Sequence, residues 1–401
     1  MAFLDQQRLD QQSLDQQRTL RVALPYAPGL DGLRGLAVLA VVAYHLELPF
    51  APRGGAVGVT LFFTLSGYLI TTLLLREVDA GGGVRLGHFY ARRALRLLPA
   101  LLLVVAAVAA YARWWAPPAS ARTNLDALPA VVFYVANWYR AFEGFESLGL
   151  LEHTWTLAVE EQFYLLWPPV LLLVLAVAGR SMVSWRRSLL AVALVGSVAP
   201  LLVRLAVWEG LEPSAARVLN GTDTAADPLM MGCALATGIA LLGGLDGAGR
   251  GARRLRRALQ VAVWPAGALL LADAVLRLDG RDPERVPITL LWGPTLIGLA
   301  GTAVVGWTVL RSPALLSWRP LRAVGIVSYG LYLWHYPVIR LLHEQLPGEW
   351  GAGQQLLALA LSALATTLSY QLVERPVLRL KRYVPPGTGP AARSREPARA
   401  R

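Results

Sequence analysis

The chain has 401 residues, of which 55% are hydrophobic and 16% are charged, and its net charge is +12. Soluble domains carry about 25% charged residues, so the composition excludes an ordinary soluble protein and predicts an all-α, polytopic membrane protein. The arginines stand in short connections beside apolar runs and form no basic stripe interleaved with aromatics. This excludes a nucleic-acid binder and indicates the lipid bilayer as the partner.

The chain begins with a polar segment, residues 1–27, in which Leu-Asp-Gln-Gln recurs with a period of five. This period fits neither a helix nor a heptad, so the segment is predicted to be a disordered, low-complexity tail, and no cleavable signal peptide is expected. Ten apolar runs follow. They are predicted to cross the membrane over residues 31–50, 57–76, 97–115, 156–178, 188–208, 228–244, 258–277, 288–310, 322–342 and 353–373.

The arginines between these runs predict the orientation. Three or more stand in each of the connections 76–98, 179–187, 249–257 and 311–322, whereas opposite connections hold only Arg53, only Arg217, or none between residues 343 and 351. The positive-inside rule therefore predicts that both termini are cytoplasmic, in an inner or plasma membrane. The apolar run 130–139 would reverse this orientation if it crossed, so it is predicted to be re-entrant or buried on the outer side.

The first span contains two ionisable residues on one face. Arg34 and His45 are eleven residues apart, which places them on the same side of a helix with about 16 Å between their backbones. Ionisable residues are costly inside a membrane, and their default interpretation is functional. The alternative is that Arg34 marks the cytoplasmic end of the helix and that His45 reaches towards the outer surface.

The second span and the loop after it offer weaker signals. Thr64, Ser66 and Gly67 are small residues whose simplest role is close helix packing. Three arginines of the loop, namely Arg92, Arg93 and Arg96, lie on adjacent helix faces and are expected to meet near the cytoplasmic surface. They are either a topology anchor or a phosphate clamp.

The fourth span begins at His153 and Trp155 and contains two adjacent carboxylates, Glu160 and Glu161. Adjacent helical residues point about 100° apart, so one carboxylate is expected to face a cavity and the other to pair with an arginine. A purely structural ion pair is the alternative.

The outer side gathers further polar residues. Asp223 and Asp227 either cap the next helix or contact a hydroxylated ligand, and Asp227 before Pro228 resembles a helix start. The predicted topology places His45, His153 and His335 in the outer half of the membrane, just above the two glutamates. No HxxxH or HExxH spacing is present and Cys233 is the only cysteine, so no metal site is predicted.

Six ordered motifs resemble those of the acyltransferase 3 family, which are multi-pass membrane O-acyltransferases of bacterial envelopes and secondary metabolism. The resemblance covers residues 28–380, and residues 381–401 are expected to form a basic, disordered tail. The motifs are Leu30-Asp31-Gly32-Leu33-Arg34-Gly35 with His45, Phe62-Phe63-Thr64-Leu65-Ser66-Gly67-Tyr68-Leu69-Ile70, Arg92-Arg93-x-x-Arg96-x-x-Pro99, Trp155-x-Leu157-x-x-Glu160-Glu161-Gln162-Phe163-Tyr164, Ser328-Tyr329-x-Leu331-Tyr332-Leu333-Trp334-His335 and Val373-Glu374-Arg375-Pro376.

The resemblance implies transfer of an acyl group, acetyl in the first instance, from cytoplasmic acyl-CoA to a hydroxyl of a cell-envelope glycan or glycosylated metabolite. It also implies that Arg34 and His45 are required and that no cofactor is bound. The family pattern resembles Asp-Thr-Arg-x-Asp, whereas this chain has Asp223-Thr224-Ala225-Ala226-Asp227, which leaves an acceptor contact there open. Some members have a C-terminal esterase-like domain, and none is expected here because the chain ends soon after its last predicted span.

Attack of an alcohol on a thioester needs a base, and the reference pKa of histidine, about 6.5, suits that role. His45 is therefore expected to be the general base, with Glu160, or its neighbour Glu161, as orienter or proton acceptor. Acyl-CoA is expected to be held by Arg34 with Arg92, Arg93 and Arg96. Residues expected to contact the acceptor or support the site are Asp31, Ser66, His153, Trp155, Asp223, Tyr329 and His335.

Two rival functions remain open. A lipid-modifying O-acyltransferase needs a paired Asn and His in its central helices, whereas Asn124, Asn137 and Asn220 are all predicted on the outer side. A transporter or flippase without acyl chemistry is favoured by broken helices in two matching halves, and the sequence contains no such internal repeat.

Overall fold

The structure is a computed structural model that describes residues 27–48, 55–81, 83–179, 181–210, 214–245, 249–276 and 286–384. All regular structure in these ranges is helical, so the all-α prediction is confirmed there. The repetitive segment at the N-terminus lies outside the described residues. Residues 381–383, predicted to belong to the disordered tail, instead form part of a short 3-10 helix, Arg379–Tyr383.

The helices follow one another along the whole described chain. In chain order they are α1 Pro28–His45, α2 Gly55–Gly81, α3 Leu86–Trp114, α4 Pro118–Val132, α5 Ala136–Glu143, α6 Trp155–Ala178, α7 Met182–Val207, α8 Ala215–Asn220, α9 Thr222–Ala225, α10 Asp227–Leu241, α11 Arg250–Leu276, α12 Val286–Leu291, α13 Gly293–Arg311, α14 Arg319–Ile326, α15 Ser328–Gln345, α16 Ala352–Ser369 and α17 Arg375–Leu378. A 3-10 turn, Gly149–Thr154, precedes α6, and a π-helical turn, Tyr370–Glu374, follows α16.

Six helical segments are long and apolar enough to cross a bilayer, which confirms a multi-pass membrane protein. They are Val57–Gly81, Leu86–Trp114, Gly149–Ala178, Met182–Val207, Gly293–Arg311 and Ala352–Tyr383. The other four predicted spans differ from this: α1 has 18 residues and α10 has 15, the described part of the run 258–277 belongs to α11, and the run 322–342 is divided into α14 and α15. The ten-span count and the orientation therefore stay predictions.

The apolar run 130–139 does not form a spanning helix. It is divided between α4 and α5, and Tyr134 between them has a left-handed φ of 54°. The amide of Asn137, which is fully buried, bonds the Asn220 carbonyl and the Thr222 hydroxyl at 3.0 and 2.9 Å. Gln162 of α6 bonds Asn137 Oδ1 at 2.9 Å. These bonds hold the segment against the bundle, as expected for a short buried stretch.

Apolar side chains cover the outside of the long helices. On α6, for example, Leu173 is 63% exposed and Val177 is 80% exposed. Such exposure is unfavourable in water and is normal for helices that face lipid. The polar side chains of the same helix, Glu160 and Glu161 among them, face inward, and this places the candidate site inside the bundle.

Helix α1 packs closely against its neighbours because glycines line one of its faces. A Cβ atom at Gly35 would overlap the carbonyl oxygen of Leu321 on α14, and one at Gly325 would overlap the carbonyl oxygen of Asp31. The two backbones therefore touch, as small residues permit in membrane bundles. This contact fixes α1, with Arg34 and His45, in the centre of the fold.

Glycines also join α2 to α10. A Cβ at Gly67 would overlap the carbonyl oxygen of Leu229, and one at Gly232 would overlap that of Thr64. The packing interpretation of Gly67 is therefore confirmed. Ser66, one residue earlier, points into the interior and bonds a carboxylate of α6.

Asp227 is structural, although not as a helix cap. Its carboxylate is fully buried and accepts two bonds from Arg204 on α7, at 2.8 and 3.1 Å, and one from the Thr295 hydroxyl at 2.6 Å. The helix α10 does begin with Asp227 and Pro228, but its N-cap residue is Ala226 and no side chain caps it. A buried carboxylate needs such a partner, because burial of an unpaired charge is costly.

Candidate active site

Two cavities lie in the interior on either side of a thin partition. The smaller has a volume of about 120 Å³ and is called the arginine cavity here; its polar lining residues include Arg34, Ser66, Arg93, Arg96, Glu160, Glu161, Tyr164, Ser328 and Tyr329. The larger, of about 550 Å³, is called the histidine cavity; its lining includes Tyr44, His45, Arg140, Glu152, His153, Trp155 and Tyr336.

Four residues line both cavities, namely Val59, Phe63, Thr156 and Tyr332. The Tyr332 hydroxyl lies 2.6 Å from the Thr156 hydroxyl and donates to the His153 carbonyl at 2.9 Å. Two apolar side chains and one hydrogen-bonded pair of hydroxyls therefore separate the cavities. Sequence reasoning did not single out Tyr332 or Thr156. Tyr332 is named in a quoted motif and lies one turn before His335 on the same helix, whereas Thr156 occupies an unspecified position between Trp155 and Leu157.

Arg34 presents its guanidinium to the arginine cavity. It donates to the Ser328 hydroxyl of α15 at 3.2 Å, and in the described part of the chain no carboxylate forms an ion pair with it. A buried guanidinium with one neutral partner retains several free N–H donors. Arg34 is therefore equipped to hold an anionic or carbonyl-rich ligand.

The two adjacent glutamates have different partners, as their 100° offset predicts. Glu160 accepts bonds from the hydroxyls of Ser66 and Tyr164. Glu161 accepts a bond from Arg93 at 2.7 Å, and the Arg93 guanidinium lies 3.1 Å from the centre of the Tyr164 ring. Both glutamates line the arginine cavity, so neither lies beside His45 as the sequence hypothesis expected of its orienter.

The three arginines of the inner loop all lie near Lys381 but bond different groups, so the phosphate clamp stays a prediction. Arg93 is paired with Glu161, and Arg92 donates to the Val384 carbonyl at 3.4 Å. Arg96 lines the cavity with an exposed side chain, and among the described residues no acidic group bonds it. Arg92 and Arg93 have different partners because residues one apart on α3 point in directions about 100° apart.

Three histidines converge at the histidine cavity, as predicted. The ring nitrogens His45 Nδ1 and His335 Nε2 are 3.1 Å apart, and the centre of the His153 ring is 5.5 Å from that of His335. His335 is fully buried. Within the described ranges, no group of three His, Cys, Asp or Glu side chains is arranged to hold a metal ion.

The remaining predicted residues divide between the two cavities and the periphery. Tyr329 lines the arginine cavity and donates to the Leu97 carbonyl at 3.1 Å. Trp155 lines the histidine cavity. Asp31 lies on α1 where that helix touches α14. Asp223 lines neither cavity and pairs with Arg217 at 2.6 Å.

One ion pair of the histidine cavity was missed by sequence reasoning. Arg140 of α5 is paired with Glu152 in the 3-10 turn before α6, and it also bonds the Asn220 side chain at 2.5 Å. Both charged residues line the cavity. Nothing in the local sequence distinguishes Arg140 from an ordinary loop arginine, because its partners come from distant segments.

Comparison with known proteins identifies relatives of the chain. The family model described as an acyltransferase domain, acyltransferase 3, matches residues 28–374. The chain is 34% identical over 394 residues to the peptidoglycan O-acetyltransferase OatA of Listeria monocytogenes serovar 1/2a, covering 90% of this chain and 57% of that protein. It is 34% identical over 365 residues to the putative peptidoglycan O-acetyltransferase YrhL of Bacillus subtilis, covering 88% and 55%.

A third relative is the O-acetyltransferase OatA of Staphylococcus aureus, which is 31% identical over 379 residues, with 88% of this chain and 57% of that protein covered. The chain thus spans a little over half the length of these curated relatives. No solved structure matches it.

Proposed function

The chain belongs to the acyltransferase 3 family, and on that premise we propose that it transfers an acetyl group from acetyl-CoA to a hydroxyl of a cell-envelope glycan. Peptidoglycan is the first acceptor to test, because relatives named for its O-acetylation are 34% identical to this chain. The chain spans only part of those relatives, so both the donor and the acceptor are parts of the proposal.

The observation that supports this proposal is the placement of two cavities along one helix. Arg34 lines the arginine cavity and His45 lines the histidine cavity. Their backbones are separated by eleven residues of α1, or about 16 Å. A donor group at one end and a base at the other are what acyl transfer across a thin partition requires, whereas a transporter has no need of a base.

The sizes of the cavities suit the two substrates differently. The arginine cavity, at about 120 Å³, accommodates the narrow thioester end of acyl-CoA and leaves the nucleotide outside. The histidine cavity, at about 550 Å³, falls within the range of about 300–1,000 Å³ typical of small-molecule sites. It is therefore large enough for a sugar ring.

At the donor end, Arg34 and Arg96 hold acetyl-CoA in this proposal. Both guanidinium groups line the arginine cavity, and among the described residues neither is paired with a carboxylate. Arg93, already engaged by Glu161, is assigned to stabilising the cavity wall. Glu160 holds the Ser66 and Tyr164 hydroxyls and is assigned to the donor cavity as well.

At the acceptor end, His45 acts as the general base. It takes the proton from the acceptor hydroxyl as the oxygen attacks the thioester carbonyl. The new C–O bond forms, the C–S bond breaks, and the CoA thiolate leaves and takes up the proton. Val59, Phe63, Thr156 and Tyr332 line the place where the two substrates meet.

We also propose ten crossings of the plasma membrane, with both termini cytoplasmic and the arginine-rich connections inside. On this arrangement, an exposed cysteine at Ala119 reacts with an impermeant maleimide from outside, and one at Ser181 does not. The native cysteine is fully buried and contributes little background. Labelling in the reverse sense contradicts the orientation.

The function is tested with purified protein, radiolabelled acetyl-CoA and muropeptides as acceptor. Wild-type protein is expected to transfer label to the acceptor. His45→Gln is expected to bind acetyl-CoA normally and to lose about 10²-fold or more of the transfer rate, the contribution of a general base. His343→Gln is the matched control, because His343 stacks on Trp350 with ring centres 3.6 Å apart and lines neither cavity. Transfer by His45→Gln at the wild-type rate rejects the base assignment.

A further inference from the structure

His45 and His335 form a hydrogen-bonded pair of imidazoles. His45 Nδ1 lies 3.1 Å from His335 Nε2. The other nitrogen of His335, Nδ1, lies 2.7 Å from the Tyr332 carbonyl oxygen and 3.1 Å from the Leu331 carbonyl oxygen. The pair thus joins α1 to the backbone of α15 through two rings.

The carbonyl contacts determine which ring nitrogen of His335 carries the hydrogen. A carbonyl oxygen can only accept, so His335 Nδ1 must be the donor and carry a hydrogen. His335 is fully buried, and burial of an unpaired charge is expensive, so the ring is neutral and has a single N–H. Its Nε2 is then a lone pair that faces His45.

The lone pair on His335 Nε2 in turn determines which ring nitrogen of His45 carries the hydrogen. Two lone pairs cannot bond each other, so His45 Nδ1 donates to His335 Nε2 and carries the hydrogen of the neutral His45 ring. The remaining nitrogen, His45 Nε2, is unprotonated. It is the nitrogen that can take a proton from a ligand in the histidine cavity, which His45 lines.

We propose that His335 is a positioning residue that holds His45 in the tautomer with a free Nε2, ready to act as base. This inference rests on the proposed function, in which His45 removes the acceptor proton. In the reaction the acceptor proton moves to His45 Nε2, the Nδ1–H stays on His45, and His335 accepts a stronger hydrogen bond without becoming protonated. The proton then leaves with the CoA thiolate.

The surroundings of the pair support a directing role for His335. The other titratable or charged groups that face the pair are Tyr44 on α1, His153 before α6, and Tyr332, Tyr336 and Arg340 on α15. No carboxylate is among these groups in the described ranges, so the pair itself must orient the base.

Three substitutions at one position test the inference. His335→Gln keeps an acceptor for His45 Nδ1–H and is expected to retain transfer within about tenfold of wild type. His335→Leu removes the acceptor and is expected to lose about 10²-fold in kcat, the scale of general-base catalysis, with an unchanged KM for acetyl-CoA. His335→Glu accepts the same bond and stabilises the protonated form of His45. It is therefore expected to move the acid limb of the pH–rate profile to higher pH by about one unit or more.

If His335 has only a structural role, the order of kcat for His335→Gln and His335→Leu is expected to be reversed. Leucine then replaces a buried ring better than a polar side chain does, so His335→Leu would equal or exceed His335→Gln in kcat, and that result overturns the inference. An unshifted acid limb in folded His335→Glu overturns it too. If His335→Glu fails to elute as a single species in detergent, the ratio of the kcat of His335→Gln to that of His335→Leu still tests the inference.

The same preparations separate this inference from the proposed function. Acetyl-CoA binding and wild-type transfer are measured first, with His343→Gln on the same helix as the control for loss of an imidazole. If wild-type protein transfers no acetyl group to the acceptor, the proposed function is wrong, and so is the proposed role of His335 in positioning His45. If wild-type protein is active and His335→Leu matches it in kcat, only the positioning role falls.

Discussion

Two aspartates four residues apart are expected to differ sharply in what they contribute to stability. Asp227 is fully buried and bonds Arg204, which is also fully buried, at 2.8 and 3.1 Å. Asp227→Asn keeps the size of the side chain but removes the countercharge of Arg204, which then bonds only neutral groups such as the Leu291 and Thr224 carbonyls. Removal of one charge of a buried pair costs about 3–5 kcal/mol. Asp223 pairs with Arg217 in a bridge whose carboxylate is 42% exposed. Exposed pairs contribute about 0–1 kcal/mol, so Asp223→Asn is expected to be nearly neutral.

The assay is the thermal unfolding midpoint of both variants in one detergent. Asp227→Asn should lower the midpoint by several degrees or prevent purification of folded protein, and Asp223→Asn should leave it within about a degree of wild type. The double variant Arg204→Met with Asp227→Leu removes both buried charges and should recover part of the loss. Recovery is expected to be incomplete because the Leu291 and Thr224 carbonyls lose their Arg204 donor. Equal shifts for the two single variants would refute the reasoning. A loss of acetyl transfer in a stable Asp223→Asn protein would instead indicate an acceptor contact.

Three further predictions concern the donor end and the packing of α1. Arg96→Ala should raise the KM for acetyl-CoA about tenfold, the equivalent of one charge-assisted bond, at unchanged stability. Arg93→Ala should lower the unfolding midpoint, because it leaves the Glu161 carboxylate without its ion-pair partner. If both variants changed the KM and the unfolding midpoint alike, the assignment of Arg96 to binding and of Arg93 to stability would be wrong. Lys381 is the only lysine in the chain and lies close to Arg96, so CoA should slow its modification by an amine reagent several-fold, whereas phosphatidylglycerol vesicles without CoA should not. Gly35→Ala should reduce transfer by about 10²-fold, as a displacement of about 1 Å can, because its Cβ would overlap α14; Gly87→Ala, with nothing near its Cβ, is the control.

The side chains that point into the bundle could be predicted from the sequence. The side of a helix on which a residue lies follows from the helix period, and the free energy needed to place a charged side chain in lipid favours the interior. Arg34 and His45 share a face of one helix by count alone. The offset of Glu160 from Glu161 also follows from count, and the structure gives them separate partners. Residues such as these are identified without knowledge of the neighbouring helices.

The sequence could not predict which helices meet. The bond between His45 and His335 joins residues 290 positions apart. Helix periodicity carries no information about contacts between residues so far apart in the chain. The expected pairing of His45 with Glu160 failed for the same reason, since the two lie on opposite sides of a partition that includes Tyr332. The division of the run 322–342 into α14 and α15 was also missed, because its apolar residues continue across the break at Val327.

The contacts at the two ends of α1 indicate how the site keeps its dimensions. Arg34 bonds Ser328 at 3.2 Å and His45 bonds His335 at 3.1 Å, and both partners stand on α15. These partners are seven residues apart, or about 10 Å along the helix axis, whereas Arg34 and His45 are about 16 Å apart. Two helices joined at both ends with unequal spacings cannot slide past each other without breaking one bond. Arg34 and His45 stand on one helix, so α1 itself sets their separation, and the two bonds to α15 fix where that helix lies. A change in how α1 packs against α15 must therefore disturb both ends of the reaction together.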